Sequence, residues 1–182
     1  GKQLALAHPV EADLVIGVPD SGTHFAHGYA YQSGIPFGDG LIRNRYTGRS
    51  FIKQTKAERE MAVSIKLNVL KDNVKGKRIV MVDDSIVRGT TSANLIIMLK
   101  DEGAKEVHMR VASPPFLWPC YYGTDIPSKK ELMAVKYSIE EIREKLGADT
   151  IGYLPVEALK NIGLRSDFGY CDACFTGNYP VR

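Results

Sequence analysis

Val80-Met81-Val82-Asp83-Asp84-Ser85-Ile86-Val87-Arg88-Gly89-Thr90-Thr91-Ser92 packs the end of a strand, a pair of acids and a hydroxyl-rich turn into one short stretch. The run from Arg78 to Val82 shows no polar alternation, so both of its faces must be covered, as in a strand inside a parallel sheet. Where the run stops, two adjacent carboxylates are held together, which is costly unless a cation or hydroxyl donors lie between them. Behind them, Gly89 permits close backbone approach and Thr90, Thr91 and Ser92 offer hydroxyls. A helix expected from about Ala93 to Glu102, closing at Gly103, would aim its free N–H groups at the same place, where phosphate is favoured. An isolated acidic pair is usually an ordinary turn, with Thr91 or Ser92 capping the helix. The complete string makes a binding loop the better reading.

The same grammar recurs on either side. Asp13-Leu14-Val15-Ile16-Gly17-Val18 reads as a buried strand that breaks at Pro19-Asp20-Ser21-Gly22, followed by a helix from about Thr23 to Gln32 that ends near Gly34. Further strands are expected over Glu106–Ala112 and near Thr150-Ile151-Gly152-Tyr153. Strands alternating with helices define an α/β fold with a mainly parallel sheet flanked by helices, and both polar loops fall at the carboxyl ends of strands, where such sheets bind ligands. Residues Asn44 to Lys56, preceded by Arg43, carry Arg45, Arg49, Lys53 and Lys56 with Tyr46, Gly48 and Ser50. That stretch is too polar and glycine-broken for a core element and is expected to be a mobile loop. Ala57 to Leu70 has the spacing of an amphipathic helix, and Ser138-Ile139-Glu140-Glu141 has the form of a capping box.

At 182 residues the chain fits one domain able to bury a substantial core, and 44% hydrophobic with 25% charged residues is ordinary globular usage. A net charge of +3 with scattered basic residues excludes a nucleic-acid-binding surface as the main business of the chain. No apolar stretch approaches the roughly 20 residues that span a bilayer, and Gly1-Lys2-Gln3-Leu4-Ala5 lacks a signal-peptide layout, so a cytoplasmic location without membrane contact is expected. The abrupt opening in helix-like sequence is expected of a segment cut from a longer chain.

The thirteen residues quoted first resemble the signature of type I phosphoribosyltransferases. The resemblance implies that Asp83 and Asp84 hold the ribose hydroxyls of phosphoribosylpyrophosphate and its Mg²⁺, and that Ser85 to Ser92, with Arg88, Gly89, Thr90 and Thr91, cradle the 5-phosphate. Val18-Pro19-Asp20-Ser21 and Asn44-Arg45-Tyr46-Thr47-Gly48-Arg49-Ser50-Phe51-Ile52 are similar to the glutamine phosphoribosylpyrophosphate amidotransferase branch. By that likeness Asp20 and Ser21 face the pyrophosphate, with Ser21 also at the Mg²⁺. Arg49 stabilises the leaving group, and Tyr46 positions a loop that closes over it. Ser113-Pro114-Pro115-Phe116, Pro119-Cys120-Tyr121-Tyr122-Gly123-Thr124-Asp125-Ile126 and Cys171-Asp172-Ala173-Cys174-Phe175-Thr176-Gly177 extend the resemblance over nearly the whole chain.

In that family ammonia displaces pyrophosphate, giving 5-phosphoribosylamine, the committed step of purine synthesis. The resemblance implies an upstream glutaminase domain, purine nucleotide inhibitors and a homo-oligomer. Two rivals remain: a non-enzymatic phosphoribosylpyrophosphate-sensing regulator, which would carry a DNA-binding segment and lack the terminal Cys-x-x-Cys, and a nucleobase phosphoribosyltransferase, which needs a hood for a planar base.

Three cysteines cannot all pair with one another. Taken alone, Cys120 fits a buried apolar position and Cys171-Asp172-Ala173-Cys174 a reduced or disulfide-bonded tail; a cubane cluster takes four ligands and the chain is one short. The resemblance to the iron–sulfur subgroup implies a [4Fe–4S] cluster in the complete protein, held by Cys120, Cys171, Cys174 and a fourth ligand before Gly1. In the chain alone that cluster is expected to be weak or lost, with the tail from about 167 to 182 mobile or collapsed on the domain. His8, His24, His27 and His108 have no metal-site spacing, and Trp118 reads as packing.

Overall fold

The structure, a computed structural model, describes residues 1–44, 67–124, 126, 128–160, 162 and 170–181. Four parallel strands form the central sheet in the order β1 (Leu14–Gly17), β4 (Arg78–Asp83), β5 (Glu106–Val111) and β6 (Thr150–Tyr153). Residues 36–38 run along the free side of β1: the Val15 N–H donates to the Pro36 carbonyl at 2.8 Å and the Gly38 N–H to the Val15 carbonyl at 3.0 Å. This order puts β4, the strand that ends in the acid pair, between β1 and β5.

The unbroken apolar runs follow from burial on both faces. Ile16, Ile79, Met81, Val107, Met109 and Val111 pack against Leu95, Ile96, Leu99, Ile142 and Leu146, from helices Thr90–Asp101 and Ile139–Leu146. The alternate residues Val15, Val80 and Val82 face Leu4, Ala26, Tyr29, Ala30, Leu154 and Ala158, from helices Lys2–Ala7, Ser21–Ser33 and Val156–Lys160 and the loop before the last. Each strand thus loses apolar surface to water on two sides, at roughly 25 cal/mol per Å². On the second face Arg110 is buried, and its guanidinium donates to the His8 and Met109 carbonyls and to the Thr150 hydroxyl.

Helix ends follow local chemistry. Ser138 and Glu141 satisfy both halves of the expected capping box, and Gly147 closes that helix with a φ of 72°. Gly34 closes the Ser21–Ser33 helix in the same left-handed conformation. Two helix starts differ from expectation. The first begins at Ser21 instead of about Thr23, and the second at Thr90 instead of about Ala93. In the second case Gly89, at a φ of 79°, takes the N-cap position and makes a side-chain cap unnecessary.

A further correction concerns the expected helix over Ala57–Leu70. Its last residues, Leu67–Val69 (β3), pair antiparallel with Leu41–Arg43 (β2), in the register Leu41↔Val69 and Arg43↔Leu67. Leu41 and Leu67 are buried beside Ile16 and Val74, with Val69 half-buried against the same core; period-two burial, which a helix cannot give, wins here. The rest of that expected helix and the basic stretch, including Tyr46 and Arg49, lie outside the described residues. Among the described residues no helix is long and apolar enough to cross a membrane.

Candidate active site

The carboxyl ends of β1 and β4 lie side by side, with Gly17 opposite Val82. The Val18 N–H donates to the Val82 carbonyl at 2.9 Å, and the Gly22 N–H turns back to the Val18 carbonyl at 2.9 Å. The turn fits only because position 22 has no side chain: a Cβ there would stand 2.4 Å from the Val82 oxygen and 3.2 Å from the Asp83 Cα. The 18–22 turn is therefore pressed onto the strand end that carries the acids, and the two polar loops of the sequence meet there.

Asp83 is the last residue of β4 and only 7% exposed. Burial, together with the charge of Asp84, pushes its carboxyl up to about 7 against the pull of the Asp84 N–H, which donates to Asp83 Oδ1 at 2.9 Å. Asp84 is half-buried, and the Ser85 hydroxyl donates to its Oδ1 at 3.3 Å. A buried carboxyl so displaced calls for a cation or hydroxyl donors to stabilise its charged form. The oxygen donors of Asp83, Asp84 and Ser21 suit a hard divalent ion that keeps other oxygen ligands of its own. Ser21, the first helical residue after Asp20, is exposed.

Past the acids, Thr90 and Thr91 are exposed in the first helical turn, and the helix's first internal bond runs from the Ala93 N–H to the Gly89 carbonyl at 2.9 Å. The preceding N–H groups face the loop as an anion-favouring end. Ser92, expected to belong to the same loop, is buried in the first turn of that helix. Arg88 is exposed and ion-paired with Glu131.

A cleft of about 740 Å³ opens beside the 18–21 turn, lined by Pro19, Asp20, Thr23, Phe37, Arg43 and Asn68 among others. Its walls do not include Asp83 or Asp84, and the shared turn joins the cleft to the acid pair. Arg43 Nη1 donates to Asp20 Oδ2 at 2.7 Å across its rim. Sequence reading assigned no role to Arg43, Phe37 or Asn68, because β2 and β3 are too short to show in periodicity; the one available signal was the basic character around Arg43.

Two of the cysteines belong to an apolar cluster that also takes in Val87, from the loop after the acids. Cys120 and Cys174 pack against Phe116, Ile126 and Leu132, while Cys171 is exposed. The N–H groups of Tyr122, Gly123 and Thr124 around Cys120 bring its thiol down to about 7, whereas burial raises that of Cys174. Among the described residues no group of three His, Cys, Asp or Glu is arranged to hold a metal ion, and the expected cluster takes a fourth ligand from outside this chain. The tail is docked: the Leu117 and Trp118 N–H groups donate to the Cys174 carbonyl at 2.9 and 3.0 Å, and the Tyr179 hydroxyl to the Pro119 carbonyl at 2.7 Å. Trp118 is exposed, with the Lys129 ammonium over its ring and Gly177 beside it. His27 stacks on Phe37, and His8 Nε2 donates to the Tyr153 carbonyl at 2.8 Å.

An acid pair at a strand end, a left-handed glycine opening a Thr-rich helix and a tight turn pressed against them define an α/β protein built to hold a phosphorylated ligand at the carboxyl ends of its strands. The chain matches the phosphoribosyl transferase domain family over residues 3–113 and belongs to it. Along its whole length it is similar to amidophosphoribosyltransferases. It is 52% identical over 183 residues to that of Archaeoglobus fulgidus, covering 100% of this chain and 40% of the relative. To that of Bacillus subtilis it is 53% identical over 186 residues, covering 100% and 39%. Among solved structures, glutamine phosphoribosylpyrophosphate amidotransferase from B. subtilis, complexed with ADP and GMP, superposes with a TM-score of 0.87 at 52% identity, over 98% of this chain and 40% of that one. A structure described as the allosteric regulatory enzyme of purine biosynthesis gives the same TM-score and identity, over 98% and 39%. The chain thus spans about two-fifths of the length of these relatives.

Proposed function

We propose that the chain is the phosphoribosyl-transferring part of an amidophosphoribosyltransferase. It moves ammonia onto C1 of phosphoribosylpyrophosphate, releasing pyrophosphate and giving 5-phosphoribosylamine, the first committed step of purine synthesis. The observation that carries this is the meeting of Asp83 and Asp84 with the 18–22 turn and the Gly89–Thr91 helix start, in a chain similar to amidophosphoribosyltransferases from end to end. In this reading the ribose hydroxyls donate to the carboxylates of Asp83 and Asp84. The 5-phosphate accepts from the N–H and hydroxyl groups of the Ser85–Thr91 turn and from Arg88. Asp20 and Ser21 face the pyrophosphate.

Mg²⁺ would be held by Ser21, Asp83 and Asp84 and would supply neutralising charge for the departing pyrophosphate. The acids favour positive charge growing at C1, which is the electrostatic core of the catalysis. Ammonia attacks as a neutral molecule, so no side chain has to act as nucleophile. Arg49 and Tyr46, carried over by resemblance, would stabilise the leaving group and exclude water. Pyrophosphate release with ammonia, compared with free nucleobases and with no acceptor, tests the reading: ammonia alone should support turnover.

The complete protein is expected to add a glutaminase domain, to act in the cytoplasm as a homo-oligomer and to be inhibited by purine nucleotides. The relative solved with ADP and GMP supports the last point. In the complete protein Cys120, Cys171 and Cys174 would hold a [4Fe–4S] cluster with a fourth ligand from outside these residues, and this chain alone would hold it weakly or not at all. No catalytic step depends on it. Iron and sulfide analysis of the complete protein, beside Cys171→Ser, decides the point: iron in the parent supports it, and iron in neither removes it.

A further inference from the structure

The loop proposed to hold the 5-phosphate is gripped from one side by a segment that neither the motif nor the proposed chemistry includes. Residues 131–133 meet residues 87–89 through consecutive contacts. Glu131 pairs with the Arg88 guanidinium. The Met133 N–H donates to the Val87 carbonyl at 2.8 Å. The Met133 sulfur lies 2.4 Å from where a Cβ on Gly89 would stand. Between them Leu132 is fully buried with Phe116 and Ile126, and Val87 packs on that same cluster. Ser128 caps the 3-10 turn Lys129–Glu131, and Lys129 lies over the Trp118 ring, so Glu131 stands on a support fixed at both ends.

The ion pair itself is exposed, with side-chain exposures of 59% for Arg88 and 40% for Glu131. Such pairs add little to stability, so holding the fold together is a poor account of it. Its geometric consequence is specific: the only cation of the loop is kept from swinging into solvent. A guanidinium has five N–H donors in a rigid fork, so an edge engaged by Glu131 leaves others free for a phosphate. Ordering a long side chain before binding lowers the cost of ordering it on binding.

We infer that Glu131 is a positioning residue for phosphoribosyl binding, acting through Arg88 and not by contact with substrate. The inference rests on the reading of the Ser85–Thr91 turn as the 5-phosphate cradle. Charge and positioning make opposite predictions. If Glu131 acted only as a negative charge near a phosphate, removing that charge would tighten binding; if it orients Arg88, removal weakens it.

The test is titration calorimetry of the full chain with ribose 5-phosphate and, separately, with Mg²⁺-pyrophosphate, for the parent, Glu131→Gln and Glu131→Asp. We expect Glu131→Gln to weaken ribose 5-phosphate about tenfold while leaving pyrophosphate within about twofold, an effect of the size of one hydrogen bond to a charged group. Glu131→Asp should recover part of the loss, and thermal unfolding should be unchanged. Equal or tighter ribose 5-phosphate binding by Glu131→Gln would overturn the inference while leaving the cradle reading intact. Equal loss of both probes with a lowered melting temperature would overturn it in favour of simple fold support. A parent that binds no ribose 5-phosphate would overturn the cradle reading and this inference together.

Discussion

Adding one methyl group at position 22 should damage both the fold and the proposed site. A Cβ on Gly22 would meet the Val82 oxygen at 2.4 Å, the Asp83 Cα at 3.2 Å and the Val82 carbonyl carbon at 3.3 Å. All three are backbone atoms of a strand paired on both sides, so none can rotate away as a side chain would. Overpacking against a rigid neighbour costs about 1–3 kcal/mol, and this contact belongs at the upper end. Alanine in a helix gains back at most about 1 kcal/mol over glycine, leaving Gly22→Ala destabilised by about 2 kcal/mol. For a chain of this size that lowers the melting temperature by roughly 4–8 °C. The relief available to the protein is to lift the 18–22 turn off the acid pair, so affinity for Mg²⁺-phosphoribosylpyrophosphate should fall by more than stability alone explains. Urea unfolding and titration calorimetry read the two effects. Gly123→Ala, where a Cβ meets nothing within 4 Å, is the control and should be close to neutral. A Gly22→Ala protein with parental melting temperature and parental affinity would refute the idea that this close approach assembles the site.

Two other outcomes follow from the same structure. Arg78 hydrogen bonds hold the Asp13 carboxyl down at about 2, below its ordinary 3.8. A depressed carboxylate contributes stability that is fully present above about pH 4 and is lost as the pH falls toward 2. Asp13→Asn should therefore show a shallower loss of stability across that window than the parent, measured by urea unfolding at fixed pH steps; parallel profiles would contradict the pairing. Transferase activity with ammonium salts should rise with pH as the free-ammonia fraction grows, and glutamine should not replace ammonia for this chain alone. Equal pyrophosphate release with either donor would mean that these residues hold a glutaminase site.

The sheet was readable because Leu14–Gly17, Arg78–Asp83 and Glu106–Val111 are buried on both faces, which leaves uninterrupted apolar runs. The β2–β3 pair was not, since three residues are too few to show a period and Leu67-Asn68-Val69 continues a helical spacing from the residues before it. Helix starts were misplaced where the cap is backbone geometry, as at Gly89, and not a side chain that the sequence displays. In the site, the acid pair and its turn were legible because they are contiguous in the chain. Arg43 with Asp20 and Glu131 with Arg88 were not: their partners come from distant segments that only the fold brings together. The burial of Ser92 was not legible either, because it follows from a helix that starts at Thr90.

Asp83 and Asp84 are proposed to hold the ribose of phosphoribosylpyrophosphate. Replacing both with asparagine preserves their shape and keeps an acceptor for the Asp84 N–H, so the fold should survive, as circular dichroism would show. It removes two charge-assisted interactions, each of about 1.5–3 kcal/mol, so affinity should drop at least about a hundredfold. The decisive measurement is calorimetric titration of Asp83→Asn/Asp84→Asn with phosphoribosylpyrophosphate and Mg²⁺ beside the parent. Loss of Mg²⁺-dependent binding in a folded protein is the predicted result, and unchanged affinity would contradict the account.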